Sequence, residues 1–498
     1  MSARYYLACD LGAESGRVML GRLEGGRVDL EEIHRFATGS VRLGDSLRWD
    51  VLRLWDDIRT GLRKALARGV SVESVSVDSW GLDYVLSGDA QEVLSAPFHY
   101  RDSRSEAHFV RALKDPGTEC IFNETGIQMM HINMLYQLAA EQERSPRLLA
   151  LADRFLNIAD FVHFLLSGVP RSEESLASTT QLYNPTTRDW SDRLIREFGF
   201  PRHIFPQIVP SGTVLGPLQE GLAAELGVVE GTGKRMQVVA TCSHDTGAAV
   251  AAVPAEPGEH WAYLSSGTWS LLGVELAAPR LDAAARALNF TNEAGYGGTT
   301  RFLKNIVGLW LLQELRRSWA ERGQEFDYAR LSLEAEQAPA FGPLIHPGDS
   351  RFSKPGRMPE KIGDYCREQG VAEPGTVGAT VRCVYESLAL QYRRTLDEVE
   401  SVTGRNITRL HIVGGGSQSH FFNQCIADAT GREVLAGPVE ATAVGNVLLQ
   451  AVALGHLESL QALRDTVRRS FEQRRYLPRR QEEWAAAYAR FSRLGVGG

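Results

Sequence analysis

The sequence predicts an α/β protein of two domains, and three observations carry that expectation. The chain has 498 residues, more than one hydrophobic core usually supports. Its first part reads strand, glycine turn, strand, turn, strand, helix, an order that builds a mixed sheet covered by helices. A second start of the same form follows at His260. With 43% apolar and 23% charged residues, the composition is that of an ordinary globular enzyme.

Element by element, Tyr5 to Cys9 forms the first strand, Gly12 to Gly16 its turn and Arg17 to Arg22 the return. Gly25-Gly26 turns the chain again into Val28 to His34. Val51, Leu54, Trp55, Ile58, Leu62 and Leu66 then share one face at helical spacing. Val/Ser alternation from Val72 to Val77 makes a further strand, ending at Asp78-Ser79-Trp80-Gly81. A short Pro/Gly connection, Val253 to Gly258, divides the chain into expected domains 1–252 and 253–498. Beyond it, His260 to Leu264 is a strand, Ser265 to Trp269 a turn and Ser270 to Glu275 a returning strand. This echoes the first start in element order and turn placement more than in residues. Val377, Val381, Val384, Leu388, Leu396 and Val399 mark a long helix before the strand Arg409 to Val413. Gly414 to Gly416 then turns the chain into a helix over roughly Gln418 to Ala429. The Arg/Glu-rich stretch from Arg464 reads as a solvated helical end.

A net charge of −7 argues against a general nucleic-acid binder. No 18-residue apolar run occurs, and Met1 to Arg4 leads straight into a strand, so neither a membrane span nor a signal peptide is expected. The six cysteines are scattered without a CxxC pair, which points away from zinc and toward a reduced cytoplasm. Cys366 and Cys383 are the one pair considered for a disulfide. A monomer or homodimer is expected.

The chemistry gathers at a few short stretches. In Ser243-His244-Asp245-Thr246, a carboxylate stands among groups able to bind hydroxyls, so Asp245 is a candidate base for a sugar hydroxyl. The same Asp suits an N-cap for a helix starting near Gly247. Asp10-Leu11-Gly12-Ala13-Glu14-Ser15-Gly16-Arg17 lies between two strands, so it is neither a Walker loop nor a dinucleotide fingerprint. Such a hairpin can turn backbone N–H groups toward phosphate, and Asp10 could hold a hydrated Mg²⁺. A plain hairpin with glycines at positive φ explains the same residues. Ser265-Ser266-Gly267-Thr268 repeats the form, and Gly414-Gly415-Gly416 allows close approach of an adenosine or phosphate, or simply a tight turn. Asp78-Ser79-Trp80-Gly81 and Lys304-Asn305 suit a sugar pocket, although Trp80 fits the core equally well. Together these features make ATP-dependent sugar phosphorylation the leading expectation.

The motifs, in order along nearly the whole chain, resemble the FGGY carbohydrate kinases, and the rhamnulokinase branch within them. The matching stretches include Asp10 to Leu20, Trp80 to Asp83, Tyr100 to Arg104, Gly126 to Gln128, Leu135 to Leu138, Ser243 to Thr246 and Tyr263 to Leu271. Lys304 to Ile306, Gly308 to Gln313 and Leu410 to Gly416 complete them. The resemblance implies two ribonuclease-H-like domains of the actin-like ATPase superfamily around a central cleft that closes on binding, with a hinge at Pro254 to Gly258. It implies nucleotide contacts at Ala13, Glu14, Ser15, Gly16, Arg17, Thr268, Gln313 and Gly415, and sugar contacts at Gly81, His244, Asp245, Thr246 and Asn305. Asp245 would take the proton from the 1-hydroxyl of L-rhamnulose, with ATP as donor and Mg²⁺ near Asp10. The chain lacks the Arg-Glu pair of glycerol kinases and the Met-His pair of xylulokinases, and Asn133-Met134-Leu135-Tyr136 is as rhamnulokinases have it. Two departures from the family pattern are His131 in place of a Pro and Ser419 in place of an Asn. Kinases for L-fuculose or L-ribulose, and a non-catalytic sugar sensor on the same fold, are the alternatives.

Overall fold

The computed structural model describes residues 2–228 and 235–494. The chain divides into two units: Met1–Pro254 with Glu275–Phe302 and Ala441–Ser470, and Ala255–Val274 with Leu303–Glu440 and Phe471–Gly498. The first crossing, at Pro254/Ala255, falls beside the expected boundary at 252/253. Two later segments nevertheless rejoin the first unit, which a single boundary does not provide for.

The first unit is built on β1 (Arg4–Leu11), β2 (Ser15–Glu24), β3 (Arg27–Ala37), β4 (Val72–Ser79), β5 (Thr213–Pro217) and β6 (Gln237–Ala240). These lie in the order β5-β6-β4-β1-β2-β3. β1 pairs antiparallel with β2 and parallel with β4, so the sheet is mixed as expected. Tyr6, Leu7, Ala8, Cys9 and Leu11 are all buried. Such a near-continuous apolar run suits a central strand covered on both faces. The helix Val51–Leu66 is capped by Asp50, whose carboxylate accepts from Arg53 N at 3.1 Å. It buries Val51, Leu54, Ile58 and Leu62, each contributing about 1.5–3 kcal/mol.

The second unit carries β7 (Trp261–Ser266), β8 (Trp269–Leu276), β9 (Thr300–Val307), β10 (Arg409–Val413), β11 (Glu433–Ala436) and β12 (Arg474–Tyr476). β8 and β9 run a few residues across the chain boundaries at 274/275 and 302/303. The order is β9-β8-β7-β10-β11-β12, with a seventh strand, Thr291–Ala294, paired on the far side of β9. β7 pairs antiparallel with β8 and parallel with β10, as β1 does with β2 and β4. β11 is parallel to β10 and antiparallel to β12, matching β6 with its neighbours β4 and β5. The resemblance of the two starts is thus a duplication of topology.

The long helix runs Val377–Thr403, and the expected helix after the glycines is a 3₁₀ turn Gly415–Gln418 followed by His420–Thr430. The stretch from Arg464 is not a free solvated end. It supplies strand β12 and the helix Gln481–Phe491, which buries Trp484, Ala487 and Phe491. Its arginines had masked an apolar stripe spaced for one helical face. All six cysteines are free thiols, so Cys366 and Cys383 form no disulfide. Among the described residues, no helix is long and apolar enough to cross a membrane.

Candidate active site

In the first unit the ends of β1, β4 and the chain leaving β6 lie side by side. Asp10 stands in register with Asp78 of β4 and with Arg17 of β2. Beyond β6, Ser243 runs along the end of β4, with Ser79 N donating to Ser243 O at 2.8 Å. Glu173, fully buried, fixes this loop: it accepts from Ser243 N at 3.0 Å, Ser175 N at 3.0 Å and the Ser175 hydroxyl at 2.5 Å. The Ser175 oxygen accepts in turn from His244 N at 3.0 Å. Burial raises the Glu173 pKa even against these donors.

Asp245 opens the helix Asp245–Ala251. His244 occupies the N-cap position without a side-chain cap, so Asp245 is the first helical residue, not the cap of a helix starting near Gly247. Its Oδ1 accepts from Thr246 N at 2.5 Å and Thr246 Oγ1 at 3.2 Å, and lies 3.3 Å from His244 Nε2. No hydrogen bond reaches Oδ2 from the described residues. Burial pushes the Asp245 pKa up; His244 opposes the rise and Asp10 adds to it. Behind His244 stand Glu293 and Arg301, both buried. Its Nδ1 is 3.3 Å from Glu293 Oε2 and 3.2 Å from Arg301 Nη2. Gly81 faces the same ring: a Cβ there would sit 3.1 Å from Thr179 Oγ1 and 3.6 Å from His244 Nε2. Gly81, His244, Asp245 and Thr246 therefore come together. Trp80 belongs to the core: its indole N–H donates to Asp83 at 2.6 Å, beside that of Trp49 at 2.9 Å.

Asp78 lies beneath Asp10 and Asp245, fully buried. Burial first, then the Asp10 charge, raise its pKa well above the usual carboxylate range. Asn446 Nδ2 donates to it at 2.6 Å and is itself held by Gln450 at 2.7 Å. This explains why the helix Ala441–Ala453 returns to the first unit. Its Gly445 is required by close approach, since a Cβ would fall 1.9 Å from Ala248 O.

Ala13, Glu14 and Ser15 form the tip of the β1–β2 hairpin, with Gly12 N donating to Ser15 O at 3.0 Å. The expectation of positive φ does not hold, for neither Gly12 nor Gly16 adopts it. Gly16 instead leaves room for Phe36, whose ring would be 2.4 Å from a Cβ. Arg17 pairs with Asp10, Nη2 to Oδ2, at 2.5 Å. Among the described residues, no group of three or more His, Cys, Asp or Glu could hold a metal ion. A Mg²⁺ brought by phosphates needs only one or two carboxylates, and Asp10, whose Oδ2 is engaged by Arg17, keeps Oδ1 for such an ion.

The second unit gathers its own set. Gln313 Nε2 donates to Thr268 Oγ1 at 3.1 Å, and Trp310 N donates to Thr268 O at 3.1 Å, seating the β7–β8 turn on the helix Trp310–Ala320. Gly414, at φ 84°, and Gly416 pack against Ser266, leaving no space for a Cβ at Gly416. Gly415 has nothing within 4 Å of a Cβ position and is the glycine of the three open to a ligand. Asn305 lies on β9, half-buried. Asp78, expected as part of a sugar-pocket stretch, is instead fully buried, and Glu173, Glu293, Arg301 and Asn446 were not legible as site residues. Each converges from a distant part of the chain with no local motif, although Asp78 ends an apolar strand as Asp10 does.

The N-terminal domain model of the FGGY family of carbohydrate kinases matches residues 5–252, and the C-terminal domain model of the same family matches 262–454. The chain belongs to the FGGY family of carbohydrate kinases. It is 40% identical over 490 residues to a rhamnulokinase of Bacteroides thetaiotaomicron, covering 98% of each chain. Rhamnulokinases of Enterococcus faecalis (39% identical, 94% of this chain and 93% of theirs) and Pectobacterium atrosepticum (40%, 99% and 97%) are similar to it too. Among solved structures, a gluconate kinase from Lactobacillus acidophilus superposes with a TM-score of 0.79 at 15% identity, covering 98% of this chain and 96% of its own. A xylulose kinase from Rhodospirillum rubrum gives 0.78 at 19%, covering 99% and 98%. At such identities these two establish the fold alone, and with both FGGY domain models matched it is the two-domain α/β carbohydrate kinase fold. The FGGY chain is accordingly a carbohydrate kinase, a phosphotransferase.

Proposed function

We propose that this chain transfers the γ-phosphoryl group of ATP to the 1-hydroxyl of L-rhamnulose, giving L-rhamnulose 1-phosphate and ADP in the degradation of L-rhamnose. The observation that carries the substrate is near-full-length similarity to three kinases named for rhamnulose, at 39–40% identity. For the chemistry, support comes from Asp245, a half-buried carboxylate with one oxygen engaged by donors and the other left to the substrate.

As the 1-oxygen forms its bond to the γ-phosphorus, the bond from that phosphorus to the β–γ bridging oxygen breaks, and ADP leaves with the electron pair. Asp245 accepts the hydroxyl proton, a contribution of about 10²–10⁴-fold. Gly81, His244, Thr246 and Asn305 contact the sugar. Ala13 to Arg17, Thr268, Gln313 and Gly415 contact the nucleotide. Asp10 would hold Mg²⁺, which when bound neutralises phosphate charge. Six free thiols and the need for ATP suit the cytoplasm.

An ADP-release assay over L-rhamnulose, L-fuculose, L-ribulose and D-xylulose tests the reading. The expected result is the highest kcat/KM on L-rhamnulose. A better ketose overturns the substrate, and no ATP turnover on any of them overturns the enzyme.

A further inference from the structure

Two buried groups contest one nitrogen of His244, and which prevails decides the state of Asp245. Arg301 has donors only and keeps its charge, while the Glu293 carboxylate only accepts. Both lie within hydrogen-bonding range of His244 Nδ1, at 3.2 Å and 3.3 Å. They are not equal partners. Glu293 Oε2 stands 3.0 Å from Arg301 Nη1 as an ion pair, which already compensates its charge, and it makes no hydrogen bond among the described residues, whereas the Arg301 Nη2 contact to Nδ1 is one. Burial alone would raise the Glu293 pKa, but the Arg301 charge beside it holds it below the usual value. The guanidinium is also anchored from behind, its Nε donating to Ala294 O at 3.1 Å while Ala294 N donates to Ser178 Oγ at 2.9 Å.

With an Arg301 donor aimed at it, Nδ1 must supply its lone pair, and the ring proton of neutral His244 sits on Nε2. That nitrogen faces Asp245 Oδ1 at 3.3 Å. The opposite tautomer would oppose two donors at Nδ1 and two acceptors at Nε2. The imidazolium would place a second positive charge against the buried guanidinium.

We propose that the buried Arg301–Glu293 pair is a positioning device that holds the His244 proton on Nε2, directing it to Asp245 Oδ1. Oδ1 then receives three donors, Thr246 N, Thr246 Oγ1 and His244 Nε2. Oδ2 is left as the oxygen that takes the proton from the sugar hydroxyl. Arg301 and Glu293 touch no reacting atom and act through His244. The inference rests on the reading of Asp245 as base.

The test is ¹⁵N NMR of the full chain labelled at histidine, with His244 assigned by the loss of its signals in His244→Gln. In the ligand-free wild type at pH 8, His244 is expected neutral with its proton on Nε2. A proton on Nδ1, or an imidazolium, overturns the proposal without any variant of the pair. Arg301→Gln leaves the Glu293 carboxylate alone at Nδ1 and is expected to draw the proton there. It should lower kcat by about 10- to 100-fold through misplacement of the base, with the ketose KM held within about threefold. An unchanged tautomer and kcat in a folded Arg301→Gln protein also overturns it. Glu293→Gln keeps the donor and is expected to keep the Nε2 proton. Asp245→Asn separates the two readings: full turnover there removes Asp245 as base, while the ligand-free spectrum still decides the position of the His244 proton.

Discussion

The hairpins β1–β2 and β7–β8 occupy the same place in two sheets that share the order of six strands, yet their ends carry different chemistry. In the first unit Asp10 lies in register with Asp78, and Asp245 opens the helix that follows the adjoining loop. In the second, Ser265 lies in register with Val413, and the neighbouring groups are Ser266, Thr268, Gln313 and the glycines 414–416. One strand-end set is anionic, able to accept a proton or hold a cation. The other is uncharged and small, able to let a ligand reach the backbone. Shared topology supplies a place for a site, and the residues at the strand ends decide what it does.

The sharpest way to break this contrast is to neutralise the first set. Asp245→Asn is expected to lower kcat by about 10²–10⁴-fold, with an unchanged thermal midpoint, as steady-state kinetics and a melting curve will show. Because burial raises the Asp245 pKa, the acid limb of the wild-type rate should lie above the ordinary carboxylate value of about 4. Activity therefore rises as pH climbs through that limb. A limb at the ordinary value would return Asp245 to the rank of an exposed carboxylate.

Next in size come the glycines, which serve packing in one place and access in another. Gly445→Ala drives a Cβ to 1.9 Å from a backbone oxygen. It should destabilise the first unit by about 3 kcal/mol, the upper range of overpacking, as read by denaturant unfolding. Gly416→Ala meets the buried Ser266 side chain at 2.0 Å and should cost about 1–3 kcal/mol. Gly415→Ala meets nothing, so its stability should stay within about 0.5 kcal/mol. A rise in KM for ATP without one for the ketose would mark Gly415 as a nucleotide contact, and unchanged kinetics would remove it from that set.

This division also shows what was legible in the chain. Local signals worked where one segment decides the outcome: the helix Val51–Leu66 and strand β10 come out with the expected ends, because apolar spacing fixes them. Asp245 stood out because its neighbours in sequence are also its neighbours in space. Glycine roles were harder, since a sequence cannot say whether a Gly serves φ or room: Gly16 makes space for Phe36, not a positive φ. Arg301, Glu293 and Asn446 were out of reach, for each matters only through partners brought together by the fold. The return of Ala441–Ser470 to the first unit was hidden for the same reason.

The smallest expected effect concerns the buried carboxylate behind Trp80, and it extends the contrast from catalysis to stability. Asp83 is fully buried, accepts from two indole N–H groups and has its pKa raised to about 7, with burial as the main cause. In the unfolded chain it titrates near the ordinary value of 3.8. Between these values the folded protein holds a proton that the unfolded chain has released, so stability falls as pH rises through that window and levels off above it. Asp83→Asn removes the titration. Its oxygen can still accept both indoles, and its amide replaces Oδ1, an oxygen without a hydrogen-bond partner among the described residues. The melting temperature of Asp83→Asn should therefore match wild type near pH 4 and exceed it at pH 8, the gap opening between those two values. The difference between the two proteins isolates Asp83, because His163, whose pKa burial lowers to about 3, titrates identically in both. A gap that does not widen between pH 4 and 8 would mean that Asp83 is ionised in the fold, its charge carried by the indoles alone.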